Sequence, residues 1–266
     1  MNSSTNNGEW KVVSRRRRRT RAITPSAVPE TGNQPWSPAD VNTDLHQQSK
    51  LMSKMEATLN SLKSSQFFAT ILYQIQSPPL LDRFRNTLAS EHRMPMVIYG
   101  IGSIESCDRS RLQLSLAILL KRELPWIGNI EVFDPVLSVT DCKVLEDMNC
   151  RVLGVNENGR REASKPTMFF MPHCEARLYD NLLGANWKVE LLNRVVIFGN
   201  SFGAYKEAAG FNNSIVSLTG KHILAAGKFV FECPINDVTC EYFSAFHDSS
   251  WHFFEPSFGN DLGPLN

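Results

Sequence analysis

Between Met96 and Gly210 the chain alternates two hydrophobic rhythms, and this alternation constrains its fold more than any other feature. Short apolar runs stand at Met96–Tyr99, Ile130–Phe133, Arg151–Val155, Thr167–Phe170 and Arg194–Phe198. Between them lie stretches of helical periodicity: Arg109 to Arg122, Asp141 to Met148, Glu175 to Gly184 and Ala204 to Gly210. Strands rich in Val, Ile and Phe, separated by helices, build a parallel sheet with right-handed crossovers. The predicted fold is α/β: a Rossmann-like three-layer sandwich with a mostly parallel sheet. Beyond Phe211 the pattern predicts a strand near Ile215 to Leu218, a short helix at Lys221 to Phe231 and an aromatic segment from Tyr242 to Phe254.

Upstream the pattern is helical. Leu51, Met55, Leu59 and Leu62 recur at three- and four-residue steps, and Phe67, Phe68, Ile71, Leu72 and Ile75 repeat that spacing. Ser77 is placed to cap a third helix, with Pro78 and Pro79 in its first turn and Leu80, Leu81, Phe84 and Leu88 on its apolar face. These helices are expected to pack on the sheet domain. Residues before about 42 are rich in Ser, Thr, Asn, Pro and Arg, too polar to offset the entropy of ordering. The sequence therefore divides into a disordered basic arm (1–45), a helical extension (46–92), the Rossmann-like domain (93–258) and a flexible tail (259–266).

The formal charge of +1 conceals an asymmetry. Residues 1–50 hold eight basic and four acidic side chains; the rest hold 20 basic and 23 acidic ones. A mildly acidic body is no broad phosphate-binding surface, so direct DNA binding is expected only through the arm. There Arg15, Arg16, Arg17, Arg18, Arg19 and Arg21 follow the island Glu9–Val13 and read as a nuclear-import signal. A solubilising tail is the bland alternative. The longest apolar stretch, Leu114 to Leu120, is far shorter than the roughly 20 residues a membrane helix needs. No apolar leader follows Met1, and the six cysteines form no C-x-x-C pair. An intracellular chain with reduced thiols is expected.

Open α/β sheets bind ligands beyond the carboxyl ends of their strands. Five polar loops fall there: Gly100-Ile101-Gly102-Ser103-Ile104-Glu105, Asp134-Pro135, 156–161 with Glu157, Pro172-His173-Cys174-Glu175, and Gly199-Asn200-Ser201-Phe202-Gly203. The first resembles a nucleotide-binding turn. It departs from one at Glu105, where G-x-G-x-x-G needs its third glycine, and at Ile98, where S-adenosylmethionine enzymes carry an acid. Glu105 and Asp108 near a helix start would also repel phosphate. Asp134 stands where such folds hold a ribose, though it equally suits a turn cap before Pro135.

Gly199 to Gly203 satisfies the G-x-S-x-G elbow, with Ser201 as nucleophile and His247-Asp248 or His252 as base. No orienting acid is assignable and no oxyanion stretch exists, so the reading inclines away from an enzyme and names no catalytic residue. His173 and Cys174 are neighbours that on a strand would point to opposite faces, so no metal site is assigned. Cys233-Pro234 is a dipeptide of the kind that offers haem a thiolate. The segment Phe246 to Phe254, dense in His and aromatics, reads as a half-buried lid or final strand packed in the core.

Four segments, taken in order, carry a family resemblance: Val97–Ser103, Glu131–Val136, Phe169–Ala176 and Gly199–Phe202, with Phe246–Phe254 closing the pattern. Together they resemble the SENSITIVITY TO RED LIGHT REDUCED family from about Glu56 to Phe254, and Trp10–Val13 resembles its plant members. The resemblance implies regulation: phytochrome B (red-light) signalling, circadian-clock input, clock gene expression and flowering time, with nuclear and cytoplasmic presence. Animal relatives imply a link to haem, and fungal ones to microtubules and stress. It carries over no functional residue.

The expected function is thus a light- and clock-signalling regulator acting through protein partners. The alternative is a Rossmann-like protein that binds a nucleotide, S-adenosylmethionine or haem. Its ligand rim would draw on Gly100, Gly102, Ser103, Glu105, Asp134, Glu157, His173, Cys174, Glu175, Asn200, Ser201, His247 and Asp248.

Overall fold

Strand residues of alternating facing give this sheet two buried faces. In the computed structural model, which describes residues 33–40, 44–209, 219–236, 240–256 and 262, the strands are β1 (Gln34–Pro35), β2 (Met94–Tyr99), β3 (Ile127–Phe133), β4 (Cys150–Val152), β5 (Val155–Asn156), β6 (Thr167–Met171), β7 (Val195–Asn200), β8 (Val230–Pro234) and β9 (Ser249–Phe254). The helices are α1 (Leu45–Lys63), α2 (Gln66–Gln76), α3 (Pro78–Leu88), α4 (Asp108–Glu123), α5 (Val139–Asp147), α6 (Ala176–Ala185), α7 (Val189–Leu192), α8 (Phe202–Ala209), α9 (Lys221–Ala226) and α10 (Cys240–Phe246). The arginine cluster, the 9–13 island, the expected strand at 215–218 and nearly all of the tail lie outside the described residues.

The main sheet runs β4-β3-β2-β6-β7-β9-β8. Strands β4, β3, β2, β6 and β7 are parallel; β9 runs antiparallel to both β7 and β8. The chain steps outward from β2 to β4, then returns to lay β6 against the other side of β2. That reversal is the topological switch point of a doubly wound sheet.

Alternation along each strand feeds two cores. Met96, Ile98, Ile130, Val132, Phe170 and Phe198 join the helices α1 to α5 and α10 on one face. Val97, Tyr99, Phe133, Phe169, Met171 and Ile197 join α6, α7 and α9 on the other. Three layers result. Helices α1 to α3 bury the residues their periodicity marked: Leu51, Met55, Leu59 and Leu62, then Phe67, Phe68, Ile71 and Ile75, then Leu80, Phe84 and Leu88. Leu72 and Leu81, also expected on those faces, are half-buried.

One element differs from expectation. The helix predicted at Lys221 to Phe231 stops at Ala226, and its last two residues belong to strand β8. Gly227 closes the helix, and the alternation Val230-Phe231-Glu232-Cys233 then pairs with β9, Phe231 opposite Phe253 and Glu232 opposite His252. A sheet edge supplied by distant sequence overrides weak local helical preference. Boundaries shift elsewhere: α5 starts at Val139 because Ser138 and Asp141 form a reciprocal capping box ahead of it.

Candidate functional site at the carboxyl rim of the sheet

Parallel strands deliver β2, β3, β6 and β7 to one rim, and the loops that follow them touch. Gly100 and Gly102 adopt positive φ, 69° and 73°, which lets the chain turn sharply after β2. Asp134, at the end of β3, closes this turn: Oδ2 accepts the Gly102 N–H at 2.8 Å and Oδ1 accepts the Val136 N–H at 2.9 Å. The structure shows the turn-cap role of Asp134. It caps its own turn, and each oxygen keeps a lone pair for a further donor. Glu105 donates its backbone N–H to Asp141 at 2.9 Å, joining the glycine turn to α5.

Tyr99 ends β2 almost wholly buried and donates its hydroxyl to Glu157. Burial and the Glu157 carboxylate push that phenol far above its usual range. Arg161 binds Glu157 through two nitrogens and also reaches Glu131, which pairs with Arg151. Glu157 is thereby committed to a charge network rather than open to a ligand.

The loop after β6 is held by the loop after β7. Asn200 Oδ1 accepts the His173 N–H at 2.6 Å, while its Nδ2 donates to the Cys174 carbonyl at 3.0 Å and to the Tyr205 hydroxyl at 2.8 Å. Tyr179 donates to the Met171 carbonyl and accepts the Asn200 N–H at 2.8 Å. Asn200 is a positioning residue, with its amide fully used. His173, at φ 60°, leans on His247: their ring centroids are 4.4 Å apart, and His173 Nε2 lies 3.3 Å from the His247 carbonyl. Burial, then the neighbouring His247, pull the His173 pKa down. Asp248 lies in the same turn and takes the Ser201 N–H on its carbonyl at 2.7 Å.

The glycines serve the chain itself. A Cβ on Gly100 would sit 2.5 Å from Cys174 Sγ, and one on Gly102 would sit 2.9 Å from Ser110 Oγ. Open space lies to either side of the turn instead. One cavity of about 340 Å³ is walled by Tyr99, Phe133, Asp134, Pro135, Asn158 and Glu175, among others. A second, of about 270 Å³, is walled by Gly102, Ser103, Cys107, Arg109 and Ser110. Gly100 and His173 border both. Asp134 borders the larger cavity, and Ile98 and Glu105 depart from the usual nucleotide and S-adenosylmethionine signatures.

The serine-elbow reading is corrected. Ser201 precedes α8 and caps it: its Oγ accepts the Ala204 N–H at 3.1 Å, while the neighbouring Glu232 carboxylate accepts the Gly203 N–H at 3.0 Å. His252 is fully buried under Phe202, and its Nε2 stands 3.7 Å from Glu232 Oε1, an ion-pair distance longer than a hydrogen bond. A triad needs the imidazole between hydroxyl and acid; here the acid stands between. Burial pushes the Glu232 carboxyl up, but contacts from His252, Ser201 and the Gly203 N–H outweigh it and hold the pKa at about 2. Cys233 accepts the Gln74 amide at 3.2 Å and borders neither rim cavity.

Sequence reasoning missed Cys107, Arg109, Tyr99, Asn158 and Glu232. Cys107 and Arg109 flank the predicted start of a helix after a glycine turn, a signal that was available. Glu232 carried none, because the expected helix ended at Phe231 and no strand was assigned beyond it.

An SRR1 domain matches residues 55–253. The chain is 48% identical over 264 residues to Protein SENSITIVITY TO RED LIGHT REDUCED 1 of Arabidopsis thaliana, covering 98% of this chain and 96% of that one. It is 40% identical over 122 residues to an SRR1-like protein of Mus musculus, 45% of this chain and 49% of the other. It is 25% identical to an SRR1-like protein of Drosophila melanogaster over 81% of this chain and 70% of that one. Among solved structures it is similar to the plantazolicin methyltransferase BpumL in complex with monoazolic desmethylPZN analog and SAH, at 9% identity and TM-score 0.35, covering 79% of this chain and 98% of that chain.

Proposed function

This chain belongs to the SRR1-domain family, and from that premise we propose that it is a regulator of red-light signalling. In this reading it acts downstream of phytochrome B and feeds the circadian clock, clock gene expression and flowering time. It works through protein partners, in both nucleus and cytoplasm, with Arg15 to Arg19 and Arg21 as the import signal.

One observation carries the proposal. Identity of 48% with Protein SENSITIVITY TO RED LIGHT REDUCED 1 extends over nearly the whole of both chains, beyond the domain at 55–253. A relative matched in the domain alone would support a shared fold; one matched through its flanks supports a shared role.

Complementation is the test. Expressed in Arabidopsis thaliana lacking that relative, the chain is expected to restore the seedling's response to red light and normal flowering time. Stable accumulation of the protein without recovery of the red-light response would overturn the proposal. Replacing Arg15 to Arg19 and Arg21 with Ala in a fluorescent fusion is expected to deplete the nuclear signal; an unchanged signal would refute the import reading alone.

A further inference from the structure

The two cavities at the switch point differ in chemistry. The larger lies on the β3 side of the glycine turn. Its walls combine apolar surfaces, Phe133, Pro135 and Leu178, with two carboxylates, Asp134 and Glu175. A cavity whose walls combine apolar surfaces with carboxylate acceptors suits a planar base attached to a group rich in hydroxyls. Asp134 is only 7% exposed, and two backbone N–H groups hold its carboxylate in place. Its acceptors are therefore oriented before any ligand arrives.

The smaller cavity, on the α4 side, has the opposite preference. Arg109 borders it, together with the first turn of the 16-residue helix α4, Ser103 and Ser110. Asp108, the acid expected to repel anions there, is turned into an ion pair with Arg111, and Glu105 is not among the cavity's walls. Cys107 at the helix start has its pKa drawn down to about 7, where hydrogen bonds from Ser110 and Arg109 overcome burial. That depression reports a local preference for negative charge.

Gly100 and His173 are common walls, so the two spaces flank one turn beside β2 and β6, where the sheet's winding reverses. Ligands of doubly wound sheets lie at this point. We propose that the two cavities form one bipartite site for a nucleoside bearing a short anionic tail, with the nucleoside against Asp134 and Glu175 and the tail on Arg109. A phosphate or an amino-acid carboxylate supplies that tail chemistry equally. A single arginine balances little of a triphosphate's charge. The site stands independently of the signalling role.

Isothermal titration of the full-length chain with adenosine, AMP and S-adenosylhomocysteine tests it. Saturable one-to-one binding of AMP or S-adenosylhomocysteine is expected, at least tenfold tighter than adenosine. Preference for AMP would identify a phosphate tail; preference for S-adenosylhomocysteine would identify an amino-acid tail. Arg109→Ala, on an exposed side chain, is expected to erase the tenfold advantage and leave adenosine binding unchanged. Glu175→Gln is expected to weaken all three ligands, with the melting temperature of each variant recorded to confirm folding. Absence of saturable binding by the folded chain, equal affinity for tailed and untailed ligands, or indifference to Arg109→Ala would each overturn the proposal.

Discussion

Cys107 acquires its chemistry from its position. It sits at the N-cap of α4 with extended backbone angles, where free amide groups and the helix dipole stabilise a thiolate. Cys142 and Cys150 lie on less favourable ground: burial drives both to about 11, and acidic neighbours add to the effect at Cys142. Cys174, fully enclosed beneath Gly100, is pushed higher still. Iodoacetamide at pH 7.5, read by peptide mass spectrometry, is therefore expected to label Cys107 faster than these three, with a rate rising through about pH 7. Slower labelling of Cys107 than of Cys142 would refute the local field. Glu232 works with the opposite sign. Its folded pKa of about 2 lies below the ordinary 4.5, so it contributes stability that is fully present above 4.5 and drains away as pH falls towards 2. Denaturant titrations at pH 5 and pH 3 should show Glu232→Gln losing about 1–2 kcal/mol less over that interval than the parent chain, after allowance for solvent screening. An identical loss would show that the carboxylate is not held in this way. The role of Cys107 was legible from its place at a helix start after a glycine turn; that of Glu232 was not, because its partners, the Gly203 N–H and His252, are delivered by folding.

At the scale of elements, the five loops were legible and their joints were not. Strand-helix periodicity located β2, β3, β6 and β7, and parallel pairing then put their carboxyl ends together by necessity. What the periodicity could not contain is the bolt between β6, α6 and β7. Tyr179 lies on α6, fully buried, with its hydroxyl shared between the Met171 carbonyl and the Asn200 amide. Asn200 passes that order to His173 and Cys174. Gly199 makes room for the ring: a Cβ there would press into the Tyr179 ring, 2.8 Å from Cε1. Gly199 has no positive φ, so the restriction is steric. Overpacking a core ordinarily costs about 1–3 kcal/mol, and a ring pinned at its hydroxyl cannot step aside cheaply. Gly199→Ala is thus expected to cost about 3 kcal/mol in equilibrium unfolding, whereas Gly203→Ala, whose Cβ meets only Ser201 Oγ at 3.3 Å, should cost under about 1 kcal/mol. Equal costs would mean that the bolt yields. Strand β8 marks the other limit of local reading. Its half-buried residues carry weak alternation, and pairing with β9 decides its state.

Across the whole molecule, the N-terminal helices and the sheet share one hydrophobic core. Leu51, Met55, Leu59, Leu62, Phe67, Ile71, Ile75, Leu80 and Phe84 are at most 4% exposed, and they belong to the same cluster as Ile98, Val132 and Phe198 of the sheet. Phe84 stands among Trp126, Trp251 and Phe253 with ring centroids 4.7 to 5.4 Å away, so α3 is fastened to β9 at the far end of the chain. Phe67 stacks on Tyr242 and Phe246 and fastens α2 to α10 in the same way. Burying one large apolar side chain is worth roughly 1.5–3 kcal/mol. The nine above, with the sheet surface they cover, outweigh the 5–15 kcal/mol by which a domain is stable. Their periodicity foretold that they would be buried; it did not foretell that the sheet cannot do without them, because Trp251, Phe253, Tyr242 and Phe246 lie over 150 residues from their partners. A chain beginning at Met94 keeps every strand of the main sheet and every rim residue. It is nonetheless expected to lose cooperative unfolding, bind a hydrophobic dye and precipitate, where the full chain melts in one transition. Cooperative melting of that shortened chain, with a near-ultraviolet spectrum like that of the full one, would show that the helices decorate the sheet rather than complete its core.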